Sequence, residues 1–79
     1  MVQRDFTIVI EQDDDSGFVA RCLDLKGVYG QGNTEKEALE DITSAIDAAI
    51  AVYTEKNMPI PYKRVFQVKK DLPTASAST

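Results

Sequence analysis

The groups with the clearest chemical potential in this chain are carboxylates. Asp13, Asp14 and Asp15 stand side by side, Asp24 follows in a separate turn, and Glu40 and Asp41 lie further along. Clustered carboxylates hold hard cations, and a magnesium site built from them can drive hydrolysis of nucleic acid. A calcium loop of the EF-hand kind needs alternate ligands and a glycine at its sixth position; counted from Asp13, that position is Phe18, so the pattern fails. A magnesium site would require Asp24 to converge with Glu40 or Asp41, which fall on the solvent side of an amphipathic stripe. The plainer reading of the aspartate run is a solvated hairpin tip, which can also serve as an acidic docking patch.

Other chemistries are narrowed by what the composition lacks. With no histidine, the commonest general base, the usual zinc ligand and every Ser/His/Asp or Cys/His arrangement are removed. Cys22 is the single cysteine, so no intramolecular disulfide can form, and its place in an alternating apolar run makes it a packed, inert thiol suited to a reducing cytoplasm. Gly27, Gly30 and Gly32 are spaced unlike a phosphate-binding loop, and no Lys-Ser/Thr pair follows them. No catalytic residue, metal ligand or cofactor is expected.

The elements that must position these residues follow from periodicity. Asp5 to Gln12 alternate, with Phe6, Ile8 and Ile10 on one face, as a strand with one buried side does. Asp13 to Gly17 form a hairpin loop in which Gly17 can take positive φ. Phe18 to Leu23 make the antiparallel partner, with Phe18, Ala20 and Cys22 sharing a face. After a turn over Asp24–Gly27, Val28 to Gly32 give a short third strand whose two glycines suggest a bulge or a close backbone approach.

Thr34 and Glu37 then form a capping box, the hydroxyl accepting from the Glu37 amide and the carboxylate reaching back to the Thr34 amide. Ala38, Leu39, Ile42, Ala45, Ile46, Ala49, Ile50 and Tyr53 fall at helical spacing for four turns. Asn57 can stop the helix in a left-handed conformation, and Pro59 and Pro61 forbid its continuation. Tyr62 to Lys70 is a last strand candidate, able to add to a sheet edge in this subunit or another. The order β-β-β-α-β places one amphipathic helix on a small antiparallel sheet, a two-layer α+β domain over residues 1–70. Residues 71–79 are expected to be a disordered tail.

Seventy-nine residues allow one small core, for which oligomerisation would be a help. The net charge of −4 has the wrong sign for a broad nucleic-acid face and suits a basic partner. No signal pattern opens the chain and its longest apolar run is far below a membrane span, so a cytoplasmic protein without membrane contact is expected.

Three segments in order, the acidic-glycine hairpin (Ile8 to Phe18), Asp24-Leu25-x-Gly27, and Gln31-Gly32-x-Thr34-x-x-Glu37-Ala38, resemble the HicB family of type II toxin-antitoxin antitoxins. The likeness spans roughly residues 6 to 61, including the Met58-Pro59-Ile60-Pro61 ending of the helix. The family often carries prolines flanking Asp-Leu, where this chain has Leu23 and Lys26, and an acid where it has Asn33. The resemblance implies a degenerate ribonuclease H-like fold without nuclease activity, which binds and occludes a small basic RNA-cleaving HicA-type toxin and forms homodimers or homotetramers. Many members add a C-terminal DNA-binding domain. The eighteen residues after Pro61 are too few for one, so direct DNA binding is not expected.

The expected function is thus a non-catalytic, antitoxin-like binding module. Asp13, Asp14, Asp15, Asp24 and Tyr29 are the candidate partner contacts, and Val52, Met58, Ile60 and Phe66 the candidate self-association residues. Two alternatives stand beside it: an oligomeric domain with no toxin, and a metal-dependent nuclease that kept ribonuclease H-like chemistry.

Overall fold

The computed structural model describes residues 3–74. Strands β1 (Ile8–Gln12), β2 (Phe18–Cys22) and β3 (Tyr29–Gly32) form an antiparallel sheet in the order β1-β2-β3, followed by one long helix, α1 (Glu35–Glu55). Ile8 pairs with Cys22 and Ile10 with Ala20, while Ala20 pairs with Gly30 and Phe18 with Gly32. This register puts every inward residue of the three strands on one face, as a period of two requires.

Helix α1 covers that face. Ala38, Ile42 and Ile46 are buried against Ala20, Cys22 and Leu25, and Phe6, Ile8, Ile10, Phe18, Val28, Ala49, Ile50, Tyr53 and Ile60 pack around them. Burying a Leu or Ile side chain fully contributes about 1.5–3 kcal/mol, so Ile42 and Leu25 are the largest single terms in a small core. Leu39 lies beside the stripe and stays exposed, because the contact line runs through positions 38, 42, 46 and 49.

The helix can lie so close only because β3 has no side chain on the inner face. A Cβ on Gly30 would stand 2.7 Å from the Ile42 Cβ and 2.8 Å from the Ala38 carbonyl oxygen. The expected close backbone approach is therefore that of the helix itself. At the other end Asn57 takes φ 55°, its amide donates to the Thr54 carbonyl and the Met58 amide to the Tyr53 carbonyl, a Schellman stop.

Three local expectations differ from what is seen. Ser16, with φ 71°, occupies the left-handed loop position in place of Gly17, since Gly17 already pairs with Asp13 at the mouth of the hairpin. The Glu37 carboxylate accepts from the Asn33 amide at 2.7 Å, not from Thr34, because Gly32 lets the strand exit lie directly over the first helical turn. Among the described residues, no strand follows α1: Tyr62 to Lys70 leave the domain without pairing to its sheet. The two-layer arrangement stands with three strands. The expected tail begins within the described residues, but its portion 75–79 lies outside them.

Candidate functional site

The β1–β2 hairpin tip is built by its own side chains. The Asp13 carboxylate accepts from the Asp14 amide at 2.8 Å, and the Ser16 amide donates to the Asp13 carbonyl at 3.1 Å. Asp13, Asp14 and Asp15 are thereby held exposed on a closed loop. Next to it, Thr34 caps α1 by accepting from the Glu37 amide at 3.1 Å, and Glu37 turns back onto Asn33. Between the hairpin tip and the helix start lies an open groove of about 350 Å³, floored by Phe18, Val19 and Gly32 and rimmed by Asp13, Asp15 and Glu37.

A second depression of about 330 Å³ continues from it, sharing Val19 and Gln31 and reaching Tyr29 and Asp41. Tyr29 is 57% exposed on the sheet face that no helix covers. The Asp41 carboxylate accepts from the Gln31 amide at 2.9 Å, which fixes the acid at the edge of β3. The result is one surface running from the hairpin tip across Val19 and Gln31 to Tyr29, acidic at its margins with apolar and aromatic groups between. It brings together Asp13, Asp15 and Tyr29, with Asp14 exposed at the same tip. Glu37 and Asp41 belong to it as well. From sequence, Glu37 reads as a cap, and Asp41 as polar helix surface or as a magnesium ligand with Asp24.

Asp24 sits elsewhere. It is 5% exposed, its carboxylate accepting from the Thr7 amide at 2.8 Å and lying 3.5 Å from an Arg4 guanidinium nitrogen. Arg4 also donates to the carbonyls of Ile60 and Pro61 and lies over the rings of Phe6 and Tyr62, 4.6 and 5.8 Å from their centroids. These contacts join the approach to β1, the β2–β3 turn and the exit from α1. No local signal marks Arg4, since its hydrogen-bond partners are remote in sequence. With Asp24 and Asp41 each bound to a backbone amide, the two carboxylates are committed separately. Among the described residues, no group of three or more His, Cys, Asp or Glu gathers as a metal set would.

The self-association candidates are dispersed. Val52 and Met58 are partly exposed at the end of α1, Ile60 packs against the core, and Phe66 stands out at 71% exposure. Charge is divided along the chain in the same way. Of nine basic and thirteen acidic residues, Lys63, Arg64, Lys69, Lys70 and Asp71 lie beyond position 61, giving +3 there and leaving five basic against twelve acidic, −7, before it. Cys22 is buried as a free thiol. Among the described residues, no helix is long and apolar enough to cross a membrane.

No family model matches the chain. It is 38% identical over 56 residues to a UPF0150 protein of Synechocystis sp., covering 71% of each chain. A UPF0150 protein of Thermoplasma acidophilum is 39% identical over 56 residues, covering 71% of this chain and 81% of that one. Among solved structures, the crystal structure of the N-terminal domain of the Burkholderia pseudomallei antitoxin HicB matches with a TM-score of 0.67 at 23% identity, covering 77% of this chain and 72% of that one. That likeness identifies the fold, a three-stranded antiparallel sheet under one long helix. By its sequence and its HicB-like architecture, the chain belongs to the UPF0150 family.

Proposed function

We propose that this chain is a non-catalytic, antitoxin-like module that binds and neutralises a small basic RNA-cleaving toxin of the HicA type. The observation that carries the reading is the acidic surface from Asp13 and Asp15 to Tyr29 and Asp41, on a body whose first 61 residues carry −7. Opposite charge steers a basic partner to that face, and an exposed tyrosine beside apolar floor residues offers an anchor of the kind that dominates interfaces. Asp13, Asp14, Asp15 and Tyr29 make the contact; Asp24 supports it from behind by fixing the turn that leads into β3. In this reading the fold is a ribonuclease H-like sheet that has lost its catalytic metal site, and the protein works in the cytoplasm, where its free thiol is stable. It self-associates as a dimer or tetramer through Val52, Met58, Ile60 and Phe66.

The test is co-expression with the product of the adjacent reading frame in its native genome. The expected outcome is a stable complex, loss of the partner's RNA cleavage on binding, and release by salt. No complex at low salt, or cleavage that continues inside the complex, contradicts it.

A further inference from the structure

A third depression in the surface differs from the other two in charge. It measures about 240 Å³, is bordered by Arg21, Lys26, Gly27, Tyr29 and Lys63, and has no acid in its lining. The two depressions of the candidate surface carry Asp13, Asp15 and Glu37, and Asp41. Three cations thus gather in one place on a chain whose net charge is −4.

Separate parts of the fold bring them together. Arg21 pairs with Tyr29 across β2 and β3, so the two share the sheet face that no helix covers. Lys26 and Gly27 come from the β2–β3 turn, which the Val28 amide closes onto the Leu25 carbonyl with Gly27 at φ 81°, as in a type II turn. The turn sorts its charges: Asp24 is directed inward to the Thr7 amide and Arg4, while Lys26 stays exposed. Lys63 arrives from the basic arm that follows α1. Arg4 binds Asp24 and the Pro61 carbonyl at once, which sets the base of the arm beside the turn and leaves Lys63, two residues on, at the depression.

Grouping like charges costs free energy unless an anion offsets them. Arg21 has a partner in Glu11, 3.9 Å away with both side chains exposed, whereas Lys26 and Lys63 form no ion pair among the described residues. Two positive charges therefore stand without a counter-ion. A phosphate monoester carries about −1.5 to −2 at neutral pH and offers three acceptor oxygens; a single carboxylate would leave half of that charge unmatched. Lysines meet phosphate as point charges and arginine as a planar fork. Tyr29, 57% exposed at the rim, adds a flat ring on which a base can stack.

We propose that this depression binds a nucleoside monophosphate, the phosphate held by Arg21, Lys26 and Lys63 and the base laid against the Tyr29 ring. The site meets the acidic surface only at Tyr29 and takes a ligand of the opposite sign. A free nucleotide and a phosphorylated RNA end present the same chemistry to it.

The test titrates adenosine monophosphate into the isotope-labelled full chain and follows its amide resonances. Saturable shifts centred on Arg21, Lys26, Gly27, Tyr29 and Lys63 are expected at millimolar concentration. Inorganic phosphate should bind about tenfold more weakly, because it has no base to stack, and adenosine should not saturate. The double variant Lys26→Gln, Lys63→Gln should weaken the nucleotide by about tenfold or more, while Lys26→Arg retains it. Both lysines are exposed, so helix content and melting temperature should stay unchanged. A short RNA with a terminal phosphate that binds more tightly than the monophosphate supports the site with an RNA end as its ligand, and equal binding supports it with the free nucleotide. No saturation, shifts centred on Lys69 and Lys70 instead, adenosine binding as well as its monophosphate, or undiminished binding by the double variant would overturn the proposal. A glutamate-rich peptide that binds this depression more tightly than the nucleotide would overturn it in favour of a protein ligand.

Discussion

One guanidinium, Arg4, ties three stretches of chain together by meeting Asp24, the Ile60 and Pro61 carbonyls and two aromatic rings. Asp24 in turn holds the Thr7 amide. Replacing it by alanine strands that donor and removes the partner of Arg4, so Asp24→Ala is expected to lower stability by about 1–3 kcal/mol in urea denaturation. Asp24→Asn keeps an acceptor for Thr7 and should lose less. A different constraint acts at Gly30, where any Cβ would collide with the Ile42 amide nitrogen and stand 2.7–2.8 Å from the Ile42 Cβ and the Ala38 carbonyl oxygen. Gly30→Ala should push α1 off the sheet at about 1–3 kcal/mol, read as a drop in the denaturation midpoint. An unshifted midpoint would mean the helix does not sit as close as described.

Helix α1 is capped at both ends by side-chain and backbone devices that its sequence announces. Thr34→Ala removes the acceptor for the Glu37 amide and should cost about 1 kcal/mol. On the buried stripe the effects are larger. Ile42→Ala should cost about 2–5 kcal/mol, and Ile46→Asp should abolish folding; an unchanged thermal transition in the second variant would contradict the helix-on-sheet packing. The strands and the helix were legible because each has one buried face, which stamps a period of two or 3.6 on the residues. The geometry between elements was not legible. The burial of Asp24 depends on Arg4, twenty residues away, and the reach of Glu37 to Asn33 depends on how Gly32 passes over the helix. Tyr62–Lys70 has the composition of a strand, but pairing is a property of two segments, and its own sequence cannot specify where the second one lies.

Across the whole molecule, an acidic body carries a short basic arm, and both ends of this polarity point outward. The candidate surface was partly visible in the sequence as the aspartate run and Tyr29. Its continuity through Val19, Gln31, Glu37 and Asp41 came only from the register of the sheet. Because the proposed contact is charged and exposed, its strength should depend on ionic strength. The most direct measurement is the affinity of the proposed partner, the product of the adjacent reading frame, for the wild type and for a triple Asp13→Asn, Asp14→Asn, Asp15→Asn variant, at low and at high salt. The expected result is that the wild type binds tightly at low salt and weakens as salt rises, while the variant is weaker by about tenfold or more with a shallower salt dependence. Equal affinities and equal salt dependence for the two proteins would contradict binding through this surface.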